Sequence, residues 1–416
     1  MRILYVHQFY PGPEAPGPRQ PRDLVRRLAE RGHFVDVLAC DLNAYNEQTE
    51  PEETVALPGG GGIRVRRLPV PRGLRASLAN RLKTYGRFAW SAHGFGRRLA
   101  PPDVVLATIQ PLFGGAAALR LARRWRRPFL LEVRDLWPDA LVVKKAIAPW
   151  QAVPLQALAR SLYRGAARVA TLTPGLKIEL LKKGIPPARL DLFPNSYDEE
   201  FFRLAPGTRE RIRAQFGWDR QFAAVYTGSL TEVTAAETLV RAGAFLKARP
   251  DVRIDLFGYG QSLPKAQALA RELGLDNVHF HEPVPRSQVP AILAGADAAL
   301  MSLFRSPLIH IYFENKFIDY LGARKPVVAS LEGVQADLLR RIGAGVVVPT
   351  FDSEALAQAL LEVADHPERA REMGAAGQRF LATHLRQTDV LDRYADAIEA
   401  TARGEAARLA PWDPFP

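Results

Sequence analysis

The sequence predicts an α/β protein of two doubly wound domains, each a parallel sheet covered by helices on both faces. Three observations carry that expectation. Short apolar runs recur along the chain with helix-patterned segments between them, as strands buried on both faces of a parallel sheet require. The alternation continues to about Pro194-Asn195 and then restarts. The length, 416 residues, also exceeds what one hydrophobic core ordinarily serves.

The first domain is expected over 1–197. Ile3 to His7 reads as the opening strand, followed by a Pro/Gly loop (Pro11 to Pro18) and a helix from Arg22 to Arg31. Val35 to Ala39 is the next strand, after which a polar, Gly-rich stretch runs to Gly62. Val104 to Thr108, Phe129 to Val133 and Val169 to Leu172 repeat the short apolar run. The second domain, 198–379, supplies Ala223 to Tyr226, Arg253 to Phe257, Val278 to His281, Ala298 to Ser302, Pro326 to Ser330 and Gly345 to Val348. Leu263 to Leu273 and Ser353 to Asp365 are helical between them. A final helix over 380–403 has no strand after it, and is expected to pack back on the first domain.

One cysteine, Cys40, excludes an internal disulfide and a cysteine metal cage, so a reducing cytoplasm fits best. The N-terminal apolar run is too short for a signal segment, and no stretch of about 18 uninterrupted apolar residues occurs. Charge is unevenly placed. Residues 1–197 hold 31 Lys+Arg against 15 Asp+Glu (net +16), while 198–416 hold 25 against 29 (net −4). Such a field favours a polyanionic partner: anionic lipid, nucleic acid or a phosphate-bearing acceptor.

Ligands of doubly wound sheets bind beyond the carboxyl ends of the strands, where loops and helix N-termini present backbone amides. Two such domains facing a central cleft would place the chemistry on the loops that line it. Four segments pass this filter. The loop after the opening strand offers Gly17 for close backbone approach and Arg19 as a cation, against the reading of a Pro-stiffened turn. Arg134-Asp135 follow the strand 129–133, either as a catalytic pair or as a structural ion pair. Gly228-Ser229 and Gly258 end strands of the second domain; without a Gly-Lys-Ser/Thr run neither is a phosphate loop of the Walker kind, and each alone is a weak signal. Arg305 to Tyr320 is the most informative. There Glu314, Lys316 and Asp319 open a helix, so a lysine can face an anion while a carboxylate one turn on accepts ribose hydroxyls. The plain alternative is an amphipathic surface helix.

The absence of Asp-x-Asp, HExxH, cysteine pairs and Gly-x-Ser-x-Gly removes support for a metal-clamped diphosphate, a zinc hydrolase and an elbow-type serine hydrolase. No metal and no cofactor is expected. From Thr54 to Pro102 there is no acidic residue, and within it 74–99 patterns as a helix with Leu74, Leu78, Leu82, Tyr85 and Phe88 at spacings of three and four. Arg75, Arg81, Lys83, Arg87, Arg97 and Arg98 supply its charge. An interfacial helix on anionic lipid, engaging about 64–98, and a core helix with a solvated basic face both fit. Peripheral contact at the inner membrane face is therefore an open expectation.

The motifs HQFYPGPEAPGPRQPRDLVRRLAERGH, PPDVVLATIQPLF, PFLLEVRDLWPDA, ATLTPGLKIELLKKGIPPARLDLFPN, LDNVHFHEPVPRSQVPAILAGADAAL and ENKFIDYLGARKPVVAS run through nearly the whole chain in order. In them the sequence resembles family 4 of the glycosyltransferases, and within it the branch of N-acetylfucosamine-type transferases of surface polysaccharide synthesis. The resemblance implies the GT-B fold, two Rossmann-like domains, and a retaining, metal-independent transfer of a sugar from a UDP-linked donor held by the second domain. The acceptor it implies is a glycan or polyprenyl-diphosphate-linked chain.

The family pattern carries over unevenly. Asp319 matches the second acid of the family's two-glutamate motif, which holds the ribose, whereas the first acid falls on Ile311. The usual Arg and Lys after the first strand of the second domain correspond to Ser229 and Thr234, so Lys316 and Arg305 are the expected cations for the leaving diphosphate. Arg134-Asp135 match the place where many relatives have His-Asp. Val284, beyond the strand 278–281, joins Gly17, Arg19, Gly228, Ser229, Gly258, Arg305, Glu314, Lys316 and Asp319 in the expected donor set; Asp135, Arg134 and Lys316 form the catalytic one. Three other readings stay open at this point. They are a GT-B sugar-nucleotide epimerase, a basic nucleic-acid-binding protein, and a scaffold that keeps the fold without catalysis. Against nucleic acid, the basic region lacks strand-borne interleaved aromatics.

Overall fold

The computed structural model describes residues 1–12, 19–42, 48, 52–57, 59–74, 76–405, 412, 414 and 415. The chain forms two compact units. The first comprises 1–194 with 388–414, the second 195–387.

In the first unit the elements run β1 (Arg2–Val6), α1 (Gln20–Glu30), β2 (Phe34–Cys40), β3 (Glu52–Ala56), β4 (Gly62–Leu68), α2 (Leu78–Gly96), β5 (Val104–Thr108), α3 (Leu112–Trp125), β6 (Phe129–Val133), α4 (Asp139–Val143), α5 (Pro149–Gly165), β7 (Arg168–Thr171), α6 (Pro174–Lys182) and β8 (Leu190–Leu192). The strand order is β3-β4-β2-β1-β5-β6-β7-β8, parallel except for β3 against β4. Every residue of β5, β6 and β7 is buried, which is why these strands read as largely apolar, with Glu132 in β6 and Arg168 at the start of β7 as the charged exceptions. The polar stretch before Gly62 instead contains β3, and β4 follows it. β4 alternates Ile63 and Val65 inward with Arg64 outward, an edge pattern that an apolar-run search passes over.

In the second unit follow α7 (Thr208–Phe216), β9 (Phe222–Thr227), α8 (Ala236–Phe245), β10 (Val252–Phe257), α9 (Leu263–Glu272), β11 (Val278–His281), α10 (Val289–Gly295), β12 (Ala298–Ser302), α11 (Asn315–Gly322), β13 (Val327–Ser330), α12 (Val334–Ile342), β14 (Gly345–Val348), α13 (Ser353–Asp365) and α14 (Pro367–His384). Their sheet, β11-β10-β9-β12-β13-β14, is wholly parallel. The expected pair of doubly wound, Rossmann-like α/β domains is therefore present.

The last helix, α15 (Gln387–Arg403), belongs to the first unit. The expected single helix over 380–403 is two: α14 ends at His384 in the second unit, and α15 alone returns. Leu391, Tyr394, Ala395, Ala397 and Ile398 enter one core with Tyr5, Leu24, Val25 and Leu28, and Tyr394 stacks on Phe193 at 4.3 Å. Ion pairs fasten its outer side: Arg27 with Asp392 at 2.7 Å, Arg31 with Asp396 at 2.6 Å and His33 with Glu399 at 2.9 Å.

The opposite face of the same sheet carries α2, α3 and α5 side by side. Small residues set their closeness: a Cβ at Gly114 would meet Phe88 of α2 at 3.3 Å, and one at Gly115 would meet Leu162 of α5 at 3.1 Å. Among the described residues no helix is long and apolar enough to cross a membrane.

Candidate functional site

Each sheet has a switch point, where chain progression reverses and the loops at the strand carboxyl ends part to leave a crevice. In the second unit β9 lies between β10 and β12; in the first, β1 lies between β2 and β5. The polar groups of interest gather at these two places.

In the second unit β9 ends at Thr227 and the chain turns through Gly228, whose φ of +137° favours glycine, into Ser229. Gly258, ending β10, lies against it. A Cβ on Gly258 would fall 1.9 Å from the Gly228 carbonyl oxygen, so only glycine lets the two turns close on one another. α11 begins beside them with Glu314 as its N-cap residue. The Lys316 ammonium donates to the Tyr226 hydroxyl at 3.0 Å and to the Glu314 carboxylate at 3.4 Å, and sits 4.9 Å from the centre of the Tyr226 ring. Tyr226 in turn donates to the Ser229 carbonyl at 2.8 Å. Burial pulls the Lys316 pKa down, but the Tyr226 hydroxyl and the Glu314 carboxylate more than offset it, and the net direction is upward. The ammonium is thus charged at any working pH. A Cβ at Gly228 would stand 3.0 Å from Lys316 Cε, so lysine, glycine turn and helix start form one cradle. Gly228, Ser229, Gly258, Glu314 and Lys316, predicted separately, are brought together here.

Other predicted residues are placed differently. Asp319, expected to face ribose hydroxyls, is buried and clasped through both oxygens by Arg286, whose guanidinium also lies 4.6 Å from the Phe201 ring centre. A carboxylate so far from water needs that partner. Arg305, expected to meet the diphosphate, is 66% exposed and pairs with Glu332 at 3.1 Å, so its charge is met at the surface. Val284 is half-buried on the loop after β11. Thr234 is consumed by its own turn, donating to the Thr231 carbonyl at 2.7 Å. Gly17 lies outside the described residues; Arg19 stands exposed just before α1.

In the first unit Arg134 does not project toward open space. It donates to Glu132 at 2.9 Å and to Gln20 at 2.8 Å, and its side chain is 10% exposed. Glu132, itself buried, also accepts from the Tyr5 hydroxyl at 2.7 Å, so the phosphate-facing arginine expected here is instead the counter-ion of an internal carboxylate. Asp135 differs. It accepts from the Leu136 amide at 2.8 Å, and burial lifts its carboxyl above the usual range against the pull of Lys144.

Two neighbours that sequence reasoning passed over complete this edge. His7 and Gln8 follow β1 directly and are buried, yet among the described residues neither His7 Nδ1 nor either amide atom of Gln8 has a hydrogen-bond partner. Burial first, and then the Arg134 charge, lower the His7 pKa to about 3, so the ring is neutral. Rings of Phe9, Tyr85 and Trp137 stand edge to face nearby, 6.4 Å and 6.3 Å between centres. Unsatisfied buried polar atoms beside aromatic faces suit a hydroxyl-rich ligand. The available signal was their position: a His-Gln pair immediately after an apolar strand.

Comparison with known proteins agrees with this architecture. Residues 18–196 match the family model described as the glycosyl transferase 4-like domain, and 221–366 match glycosyl transferases group 1. A curated relative, the GDP-mannose-dependent alpha-(1-6)-phosphatidylinositol monomannoside mannosyltransferase of Mycolicibacterium smegmatis, is 30% identical over 200 residues, 47% of this chain and 52% of that protein. The chain thus spans about half the length of the curated relatives it matches. Among solved structures, sucrose-phosphate synthase from Thermosynechococcus elongatus aligns with a TM-score of 0.77 at 19% identity, over 97% of this chain and 100% of that one. Anabaena HepE in complex with UDP-glucose aligns with a TM-score of 0.70 at 16% identity, over 96% and 100%. At these identities the likeness is one of fold, and the fold is GT-B.

Proposed function

Because the chain belongs to the glycosyltransferase family 4 type, its 4-like domain preceding its group 1 domain, we propose that it transfers a sugar from a nucleoside diphosphate sugar to a hydroxyl of a glycan or lipid-linked acceptor. The observation that carries this reading is the Lys316 cradle: a permanently charged ammonium beside a glycine turn at the start of a helix. Cleavage at the anomeric carbon leaves negative charge on the departing diphosphate. Lys316 and the first-turn amides of α11, which have no acceptors within the helix, meet that charge. In the first unit Asp135 engages the acceptor hydroxyl, while His7 and Gln8 hold its neighbours. Arg134 acts through Glu132 rather than on the phosphate.

The retaining course and independence from metal are carried over from the family resemblance. The specific form of the proposal is a UDP-linked N-acetylated deoxyhexosamine for surface polysaccharide. A second reading, GDP-mannose, is favoured by the name of the mycobacterial relative. Peripheral contact with anionic membrane through about 64–98 is part of the same proposal, supported by the exposure of Leu78, Leu82 and Trp90 on α2.

A thermal-shift panel of UDP, GDP and their sugars tests the donor, since a ligand bound only by the folded state raises the melting temperature. A rise with UDP-sugars alone supports the specific form, and one with GDP-mannose alone supports the second. No rise with any nucleotide sugar, together with no transfer to lipid-extract acceptors, overturns the assignment.

A further inference from the structure

The helices α2, α3 and α5, packed side by side on one sheet face, contain no aspartate or glutamate at all. Their basic residues consequently have no acidic partner within these three helices. The sharpest case lies between α3 and α5, where Arg123, Arg160 and Arg164, with Ala157, Ser161 and Gly165, line an open groove of about 400 Å³. None of the three guanidinium groups makes a side-chain hydrogen bond or ion pair among the described residues, and all three are exposed. On the other face of the sheet the arginines of α1 are treated in the opposite way. Arg22, Arg26, Arg27 and Arg31 are paired with Glu53, Glu30, Asp392 and Asp396 respectively.

Three like charges converging on one groove repel one another, and an anion seated there relieves that repulsion. Guanidinium groups suit phosphate in particular, because their donors form a planar fork. The rest of α5 says which phosphate. Trp150, Val153, Ala157, Arg160 and Arg164 follow one another at steps of three, four, three and four, and so share one face of the helix. Trp150 is 74% exposed and Val153 56%, so this face grades from apolar at its start to cationic at its end. A bilayer interface grades in the same way, from acyl chain to headgroup phosphate, and tryptophan favours its boundary. On the same layer α2 offers Trp90, 70% exposed. A single-stranded nucleic acid would call for rings interleaved with the cations, whereas Trp150 and Val153 lie at the opposite end of the face from Arg160 and Arg164.

We propose that the α3–α5 groove formed by Arg123, Arg160 and Arg164 holds the headgroup phosphate of an anionic phospholipid bilayer, with Trp150 and Val153 entering the interface beside it. This extends the membrane contact proposed for α2 to a second, separate site, and it does not depend on the transfer chemistry.

The test is co-sedimentation of the full chain with phosphatidylcholine vesicles, with and without phosphatidylglycerol, at low and moderate salt. Five variants are compared with wild type: Arg160→Glu/Arg164→Glu, Arg160→Lys/Arg164→Lys, Trp150→Ala, Arg81→Glu/Arg87→Glu on α2, and Arg220→Glu/Arg271→Glu, which makes the same change of net charge in the second unit. The expected result is wild-type preference for phosphatidylglycerol, and a loss of about tenfold or more in the α5 reversal. The lysine variant and the second-unit control should stay within about twofold of wild type, and Trp150→Ala should weaken binding to both vesicle types. Equal loss in the second-unit control, no loss in the α5 reversal, or no lipid preference in wild type overturns the proposal. So does saturation of the groove by inorganic phosphate or RNA with vesicle binding absent. A loss confined to Arg81→Glu/Arg87→Glu, with the α5 reversal unchanged, would leave the α2 contact standing and reject this site.

Discussion

The two switch points differ in the buried polar groups they leave unbonded, although Arg134, Glu132 and Asp135 are bonded in the first unit as well. In the second unit Lys316 is bonded to Tyr226 and Glu314, Asp319 to Arg286, and Tyr226 to the Ser229 carbonyl. In the first, His7 Nδ1 and both polar atoms of the Gln8 amide are buried with no hydrogen-bond partner among the described residues. An edge whose charged groups are engaged is assembled before any ligand arrives, and it offers charge and backbone. An edge with orphaned groups has already borne the cost of removing them from water, and a ligand that satisfies them recovers part of it. The contrast is what the proposed function asks of the two edges: charge for a phosphate on one, unmet hydrogen-bond groups for hydroxyls on the other.

Substitutions test the contrast directly. The largest effect is expected at Arg286→Ala, which strands the buried Asp319 carboxylate. Calorimetry should show the second unit losing about 3 kcal/mol, and a loss under about 1 kcal/mol would mean the pair is not needed there. Next comes Lys316→Ala, with turnover lower by about a hundredfold or more and a nearly normal melting temperature. Near-normal turnover in a transfer assay would remove Lys316 from the leaving-group site.

The pH dependence of the first unit should follow. The His7 pKa is held near 3, well below its ordinary value of 6.5, so between those limits the unfolded chain binds a proton that the folded one refuses. Stability is therefore fully present above about pH 6.5 and is lost as pH falls, by about 1.4 kcal/mol per pH unit within that window. His7→Gln should flatten the melting-temperature slope between pH 6 and pH 4, and an unchanged slope would place the titration elsewhere. The smallest effect is expected at Gln8→Leu, within about 0.5 kcal/mol of wild type or slightly more stable, since no bond is lost. The same variant should raise the acceptor KM with little change in the donor's. A marked destabilisation would show that Gln8 has partners after all.

The sequence disclosed the frame of both edges more fully than their side-chain traffic. β5, β6, β7, β9, β10 and β12 are buried and mostly apolar, so each stands out as a short run whose end marks a loop, and the Gly228 and Gly258 positions follow from the ends of β9 and β10. β3 and β4 escaped because an edge hairpin with outward arginines has no such run. Asp319 and Arg286 are 33 residues apart, and no local pattern links them. Arg134 and Glu132 are only two apart, yet whether they pair or face a ligand depends on Gln20 and Tyr5, which arrive from distant segments. Partner choice at such sites is a property of tertiary packing.

The return of α15 has a bearing on biosynthesis. Its residues Val390 to Ile398 complete the hydrophobic interior around Tyr5, Leu24 and Leu28, yet they are translated only after the entire second unit. A nascent chain therefore carries its first-made sheet with one face covered by α1 but not by α15 until the second unit has been made. A nick or premature stop just ahead of Val390 would leave that apolar surface open to chaperones and proteases, although almost every strand had already been made.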